Sequence, residues 1–421
     1  MKIMGSKLAI LAYVIGSFTL NSVLPVIPST LLRVAGQTKS PSSSESTMQG
    51  VTLQRTRVYD TPSLEEPKTV LWHSEKLFTL REASFFSQSG GGLYVYGWVP
   101  TGYNFSNPVF ADGTIYFSLY VEDGYLFSVD ASNGKVKNKL RLRIHSFSPP
   151  TIAGDLLFVG GGDGSLMAIN RNDFKSRWAV AKKDFRFDPA SPIVEDGIVY
   201  FGGTQVILGN MTNSRGAGVV AAVDGATGQG RWVFPLKGFP TSAAIAGNGI
   251  YFGDEDSHLF DVDRRTGQQT WVFKAENNVG SPAIQGDSAY FVDENNRLYA
   301  VNKDTGALKW KTDRSYAAWG APALYNNTAY LPGKDKDLYA VDGETGKQKW
   351  VVKTGSICNS PIVARGVVYF LSFDKYLYAV DANTGEQKWR YKMAHNAFSA
   401  PIIVNGIAYL LDEDGYMYAI H

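Results

Sequence analysis

The 421-residue sequence is poor in the residues that build compact chemical centres. Its single cysteine, Cys358, excludes an intramolecular disulfide and any site made of several thiolates. Five histidines (His73, His145, His258, His395 and His421) are scattered and never fall at a metal-ligand spacing such as H-E-x-x-H. Charge of one sign is also lacking, since 41 basic and 39 acidic residues leave a formal net charge of +2. A protein that neutralises many phosphates along a groove needs a large basic excess, so nucleic acid is excluded as a general partner. Charged residues are only 19% of the chain and apolar residues 44%, which excludes a disordered polypeptide and supplies a large core. In excess are glycine, 43 residues, and aromatics at 13%, a mixture suited to turns and pleated surfaces rather than long helices. At about 150 residues per domain the length suggests two or three domains, an expectation that the internal pattern changes.

Only one long hydrophobic stretch occurs. Lys2 and Lys7 precede an uncharged run over residues 8–32, which Arg33 ends. A basic start before LAILAYVIGSFTL has the layout of an export signal, and the lysines favour an N-terminus left in the cytoplasm. The run is long enough to span a bilayer, which takes about 20 residues, yet Pro25 and Pro28 disturb its second half. Residues 1–36 therefore read as a signal peptide or a retained membrane anchor, with both alternatives open. No cysteine follows them, so a lipid anchor on an N-terminal cysteine is excluded. Residues 37–67 read as a Ser-rich tether and lead-in, of which QTKSPSSSESTMQG (37–50) has nothing to bury. An exported protein, periplasmic or otherwise extracytoplasmic, is expected, touching a membrane only through the N-terminal segment.

The remainder is a repeat. LYAVDGETGKQKW (338–350), LYAVDANTGEQKW (377–389), LYAVNKDTGALKW (298–310) and LFDVDRRTGQQTW (259–271) are versions of one unit. VAAVDGATGQGRW (220–232) and LMAINRNDFKSRW (166–178) are looser copies, and LFSVDASNGKVKN (126–138) has Asn138 in place of the final Trp. Upstream of each lies a piece like SPIVARGVVYF (360–370), anchored at Pro108, Pro150, Pro192, Ala243, Pro282, Pro322, Pro361 and Pro401. Eight units result, mostly 39 to 42 residues apart. Each reads as four short strands, because stretches such as PIV, VVYF and LYAV have strand composition and are separated by turn residues. In the DxxTG turn the Asp accepts bonds from nearby N–H groups and Gly supplies a positive φ. Four strands per period of about 40, without helical segments, predicts an all-β, eight-bladed β-propeller of four-stranded antiparallel blades over residues 68–421, a single domain and a monomer. The last unit stops at MYAIH, lacking an outer strand, and an open blade would expose sheet edges. TVLWHSE (69–75) is the expected replacement, an N-terminal strand completing the last blade with Trp72 in the outer-strand role.

The Asp-x-x-Thr-Gly-x-x-x-Trp unit resembles the repeat of the pyrroloquinoline-quinone (PQQ)-type propellers. That superfamily includes quinoprotein alcohol dehydrogenases and the propeller lipoprotein of the outer-membrane β-barrel assembly machinery, and the resemblance covers residue 68 to the end. It implies that Trp72, Trp178, Trp232, Trp271, Trp310, Trp350 and Trp389 dock between neighbouring blades. It says little of activity, because one scaffold hosts unrelated functions. In the dehydrogenases it implies a cofactor on the axis between a Trp floor and a disulfide of adjacent cysteines, with a Glu/Asn/Asp calcium site and an Asp base. The lone Cys358 cannot form that disulfide.

Trp98 and Trp319 fall outside the blade pattern, and Trp319 belongs to a second one. Three residues before each anchor stand Phe105, Phe147, Pro189, Pro240, Val279, Trp319, Cys358 and Phe398, a ring of apolar positions expected to line the channel mouth. It reads either as a packing plug or as a collar on which a partner segment docks, with Trp98, Phe105, Phe147, Trp319 and Phe398 as the binding residues. Two insertions mark the same face. The second-to-third-strand connection of the third unit spans 24 residues from Tyr200 to Asp224, where 12 is usual, and holds Asn210 and Arg215. From Trp72 to Pro108 takes 36 residues, where 11 to 14 is usual. Loops on a rigid scaffold are where binding concentrates. The acidic turns Asp254, Glu255 and Asp256, Asp335 and Asp337, and Asp412, Glu413 and Asp414 lack an EF-hand ligand series and read as polar hairpins. Glycines 160–162 and 164 lack the helix a phosphate loop requires.

The expectation is a non-catalytic exported propeller acting as a protein-interaction scaffold in the cell envelope, with no catalytic, cofactor or metal residues. Alternatives are a membrane-tethered sensor or carbohydrate-binding ectodomain, or a PQQ-dependent dehydrogenase using PQQ and Ca²⁺.

Overall fold

Every repeat unit becomes one antiparallel sheet, and eight sheets stand in a ring. The computed structural model describes residues 58–59, 61, 63–67, 69–77, 104–120, 124–142, 148–160, 166–180, 185–186, 191–205, 217–316, 321–356, 359–397 and 399–421. Among these residues every regular element is a strand. We name the strands a to d from the axis outward and number the blades in chain order. Blade 4 shows the pattern: a is Ala244–Ala246, b Gly249–Gly253, c His258–Asp263 and d Gln269–Lys274.

Burial follows radial position. Strand b of blade 4 is buried throughout, whereas strand d alternates exposed and covered residues around Trp271. The apolar runs of a, b and c pack against both neighbouring blades, and d presents one face to water. Consecutive cores therefore span blade boundaries: one cluster joins Tyr251, Leu259 and Trp271 of blade 4 to Ile284, Phe291 and Val301 of blade 5. The a–b hairpins of blades 1, 3, 6, 7 and 8 use two residues at positive φ, such as Asn405 at 51° and Gly406 at 75°, the type I′ geometry that suits strand twist, whereas blades 2, 4 and 5 have only the first turn residue there, Gly154, Gly247 or Gly286. In blades 1–7 strand c shifts register against d just beyond the position of the outer-strand Trp (Asn138 in blade 1), as between Asp261 and Val262 in blade 4, and blade 5 has a second shift between Arg297 and Tyr299.

Blade 8 is built from both ends of the chain. Its a, b and c strands are Ile402–Val404, Ile407–Leu411 and Met417–Ile420, and its d strand is Val70–His73. Trp72 pairs with Ala419, the same relation that Trp310 has to Ala300 in blade 5. The closing strand is thus where the truncated last repeat places it.

Among the described residues three two-residue strands lie outside the repeat. Asn104–Phe105 pairs with strand b of blade 1, and Phe185–Arg186 with strand b of blade 3. The third, Val58–Tyr59, runs parallel to strand a of blade 7, Ile362–Ala364, with Val58 opposite Val363 and Tyr59 opposite Ala364. It is a fifth strand on the axial edge of that blade.

Candidate functional site

Antiparallel blades have two unlike faces. The a–b and c–d turns stand on one; the b–c turns and the connections between blades stand on the other.

On the first face six of the seven outer-strand Trp residues meet the c–d turn of the next blade. Trp271 Nε1 donates to the Lys303 carbonyl at 2.9 Å, Trp310 to Gly343 at 3.0 Å and Trp350 to Ala382 at 3.2 Å. Trp72, Trp178 and Trp232 make the same bond to Ala131, Gly225 and Arg264, each at 3.0 Å. The ring lies flat on the turn glycine: a Cβ at Gly306 would stand 2.7 Å from Trp271, and φ there is 71°. Trp389 is buried in the last seam, in the same core cluster as Leu64. The Asp or Asn that opens each turn caps it. Asp263 accepts from the N–H groups of Arg265 and Thr266 and from the Thr266 hydroxyl, and the Thr266 N–H bond foremost holds its carboxyl below the usual range. These side chains are engaged in joining blades, which leaves little free chemistry on this face.

Blades 1 and 2 meet differently. Blade 1 carries Asn138 where the others carry Trp, and the facing turn carries Phe174 at φ 55° where the others carry Gly. With no indole lying over the turn, Phe174 folds its own ring into the gap and is 7% exposed.

The sequence pattern assigns the binding positions to the second face. Trp98, Phe147, Trp319, Phe398, Asn210 and Arg215 fall outside the described residues, as do Pro189 and Cys358. For Phe105 only the backbone is described, paired with Leu119. Pro240 and Val279 of the apolar ring are buried, and each forms a β-bridge to the first residue of its own blade's b–c turn, Asp254 and Asp293. Ala397 bridges Asp412 in the same way.

Asp254 and Asp412 belong to acidic turns that sequence reasoning takes as polar hairpins, and Asp293 holds the same place in blade 5. Instead Asp254, Asp293 and Asp412 are 1%, 3% and 0% exposed. Each Oδ1 accepts the N–H four residues on, from His258, Arg297 or Tyr416, at 2.8 Å. The bridge from the blade connection covers the turn, which is why the carboxylate is buried. Asp293 is also held by Arg297, Tyr299 and Asn277, and Arg297 reaches Glu276 at 2.5 Å. Burial, foremost, raises the carboxyls of Asp254 and Asp412. Among the described residues no three His, Cys, Asp or Glu side chains are placed together to hold a metal ion.

One buried carboxyl is not a turn cap. Asp261 occupies strand c of blade 4 opposite Trp271, where Ala300, Ala340 and Ala379 stand in blades 5, 6 and 7. It is 4% exposed, and its Oδ1 has no hydrogen-bond partner. Burial lifts its pKa to about 7. Gly249 makes the room, since a Cβ there would stand 2.4 Å from that oxygen and 2.6 Å from the Tyr251 hydroxyl. The sequence carried the signal, LFDVD against LYAVD.

The family described as outer membrane protein assembly factor BamB matches residues 66–312 and 316–421. BamB from Moraxella catarrhalis superposes with a TM-score of 0.60 at 14% identity, over 75% of this chain and 96% of that one. Quinohemoprotein alcohol dehydrogenase from Comamonas testosteroni gives 0.68 at 14% identity, over 89% and 80%. The computationally designed Ika8 protein gives 0.66 at 13% identity, over 84% and 100%. Such identities speak for the fold alone. A search among curated proteins found no sequence match.

Proposed function

Since the chain belongs to the family described as outer membrane protein assembly factor BamB, we propose that it is a non-catalytic propeller that binds protein partners in the cell envelope. The family match across nearly the whole propeller carries this reading. The basic start and hydrophobic run of residues 1–36 support export, with the propeller held periplasmically or at a membrane by the tether. The docking face is the one bearing blade connections and b–c turns, with Trp98, Phe105, Phe147, Trp319, Phe398, Asn210 and Arg215 as its contact residues.

The likeness to quinohemoprotein alcohol dehydrogenase raises the question of PQQ. The residues present do not fit it well: one cysteine cannot supply a disulfide of neighbours, and Val58–Tyr59 already pairs with the axial edge of blade 7. Both facts support the scaffold reading.

Cross-linking in intact envelopes followed by mass spectrometry tests it, and outer-membrane assembly proteins are the expected catch. Dye-linked alcohol oxidation by the purified protein supplied with PQQ and Ca²⁺ would overturn it. Trp319→Ala with Phe398→Ala should weaken partner capture with little change in melting temperature, whereas equal losses would mean that the ring is a packing plug.

A further inference from the structure

Strand a of every blade ends at a position three residues after its anchor. In blades 1–6 that residue, from Ala111 to Tyr325, is half-buried. In blade 7 it is Ala364, 0% exposed, and in blade 8 Val404, 6% exposed. The two exceptions flank one piece of chain. Val58–Tyr59 pairs with Val363 and Ala364, Thr61 Oγ1 accepts the Asn405 N–H at 2.6 Å, and the Leu64 carbonyl accepts the Tyr369 hydroxyl at 3.0 Å. From there the chain reaches Val70–His73 at the outer edge of blade 8.

From this path we infer that the axial edge of blade 7 is an internal strand-addition site whose occupant is this chain's own lead-in. Adding a strand satisfies backbone groups that an axial edge leaves free, and it needs no particular side chain. The pairing is parallel, so its direction is fixed. Strand a runs from the face with blade connections toward the face with a–b turns, and Val58–Tyr59 runs the same way. From Val58 the described lead-in therefore runs away from the first of these faces beside blade 7, reaches the Asn405 turn of blade 8 at Thr61 and continues to the outer edge of that blade.

The described lead-in thus begins, at Val58, on the axial edge of blade 7 with its N-terminal side toward the proposed docking face. A partner on that face binds around its periphery, where the b–c turns stand, unless it displaces residues 58–59. That last clause rests on the scaffold reading; the threading does not, and it is tested separately.

In the full chain carrying Cys358→Ser, the pair Val58→Cys and Val363→Cys should form a disulfide under mild oxidation, because paired strands bring Cα atoms within bonding range of about 4.4–6.8 Å. Val58→Cys with Val194→Cys, the matching inner-strand position of blade 3, should not. Cross-linking to both positions alike, or to neither in protein that still melts cooperatively, overturns the inference. Hydrogen exchange on the unaltered chain gives a second reading: the amides of residues 58–67 should exchange at least tenfold more slowly than an unstructured peptide of that sequence, and equal rates overturn it. Loss of partner capture with both results intact would count against the scaffold reading alone.

Discussion

The blade 5–6 interface and the blade 7–8 seam solve one packing problem with different covalent material. In the first, Tyr290 and Trp310 both donate to the Gly343 carbonyl in the next blade's c–d turn. At the seam there is no such turn, because blade 8 takes its c and d strands from opposite ends of the chain. The lead-in replaces it: Tyr369 donates to Leu64 instead, and Leu64 at 3% exposure packs with Trp389 in the largest core cluster. The interface therefore requires a carbonyl and an apolar cover at a given place and is indifferent to which segment provides them. The blade 1–2 interface makes the complementary point, since there the Trp and the Gly are replaced together.

The largest break in this comparison should come from Trp310→Ala, which removes the indole from an ordinary interface and should cost about 3–5 kcal/mol in denaturant unfolding. Asn138→Ala at the equivalent place of blade 1 should cost less than about 1 kcal/mol, having only the Ser128 hydroxyl to lose. A similar cost at both would remove the distinction. Next, Leu64→Ala should lower stability by about 2–4 kcal/mol if the lead-in serves as a true turn, and a value near zero would make it ornamental.

Asp261 sharpens the comparison within the regular blades. Its carboxyl titrates at about 7 when folded against a reference value of 3.8. The folded state holds the proton more tightly, so the stabilising contribution is whole below about pH 4, falls as the pH rises to about 7 and is level above. Asp261→Ala, the residue of blades 5 to 7, should abolish that slope and raise stability at pH 8 by about 2 kcal/mol, within a ceiling near 4 set by about 1.4 kcal/mol per pKa unit. Urea midpoints measured from pH 4 to 8 check this, and parallel curves for both proteins would refute it.

A double-mutant cycle on Asn138→Trp and Phe174→Gly should show a favourable coupling of about 1–3 kcal/mol, because either change alone leaves a clash or a gap. The smallest effect is the most discriminating for the seam. Tyr369→Phe and Tyr330→Phe should each cost about 1 kcal/mol, the net worth of one buried hydrogen bond, since Tyr330 donates to a regular turn at Ala382. Unequal costs would show that the lead-in imitates a turn only in outline.

The ring was legible because its determinants are side chains repeated at fixed spacing: the Pro anchors, the Asp and Gly of each turn, the outer Trp. Even closure could be read, since Trp72 has the spacing of an outer-strand residue. The lead-in was not, because what it contributes is backbone: a two-residue ladder at Val58–Tyr59 and the carbonyl of Leu64, neither of which leaves a mark in composition. The buried b–c aspartates were hidden for a related reason. Their burial comes from bridges made by residues such as Pro240 and Val279 some fourteen positions earlier, and acidic letters alone give no warning of that. Of the proposed docking residues, only the backbone of Phe105 falls among those described, so that part of the reading still rests on the sequence pattern.

Because the indole of one blade chooses the turn residue of the next, the heritable unit of this ring is offset from the visible blade. Excising blade 5 would join Trp271 to Gly346, a matched pair, whereas excising blade 2 would set Asn138 against Gly228 and leave a hole. Blades 1 and 2 must be lost, copied or grafted together, while blades 3 to 6 share one Trp-on-Gly join and blade 7 ends instead on the lead-in. The unit that can be moved without opening a hole is thus the turn of one blade together with the outer strand of the blade before it, not the sheet that the eye picks out.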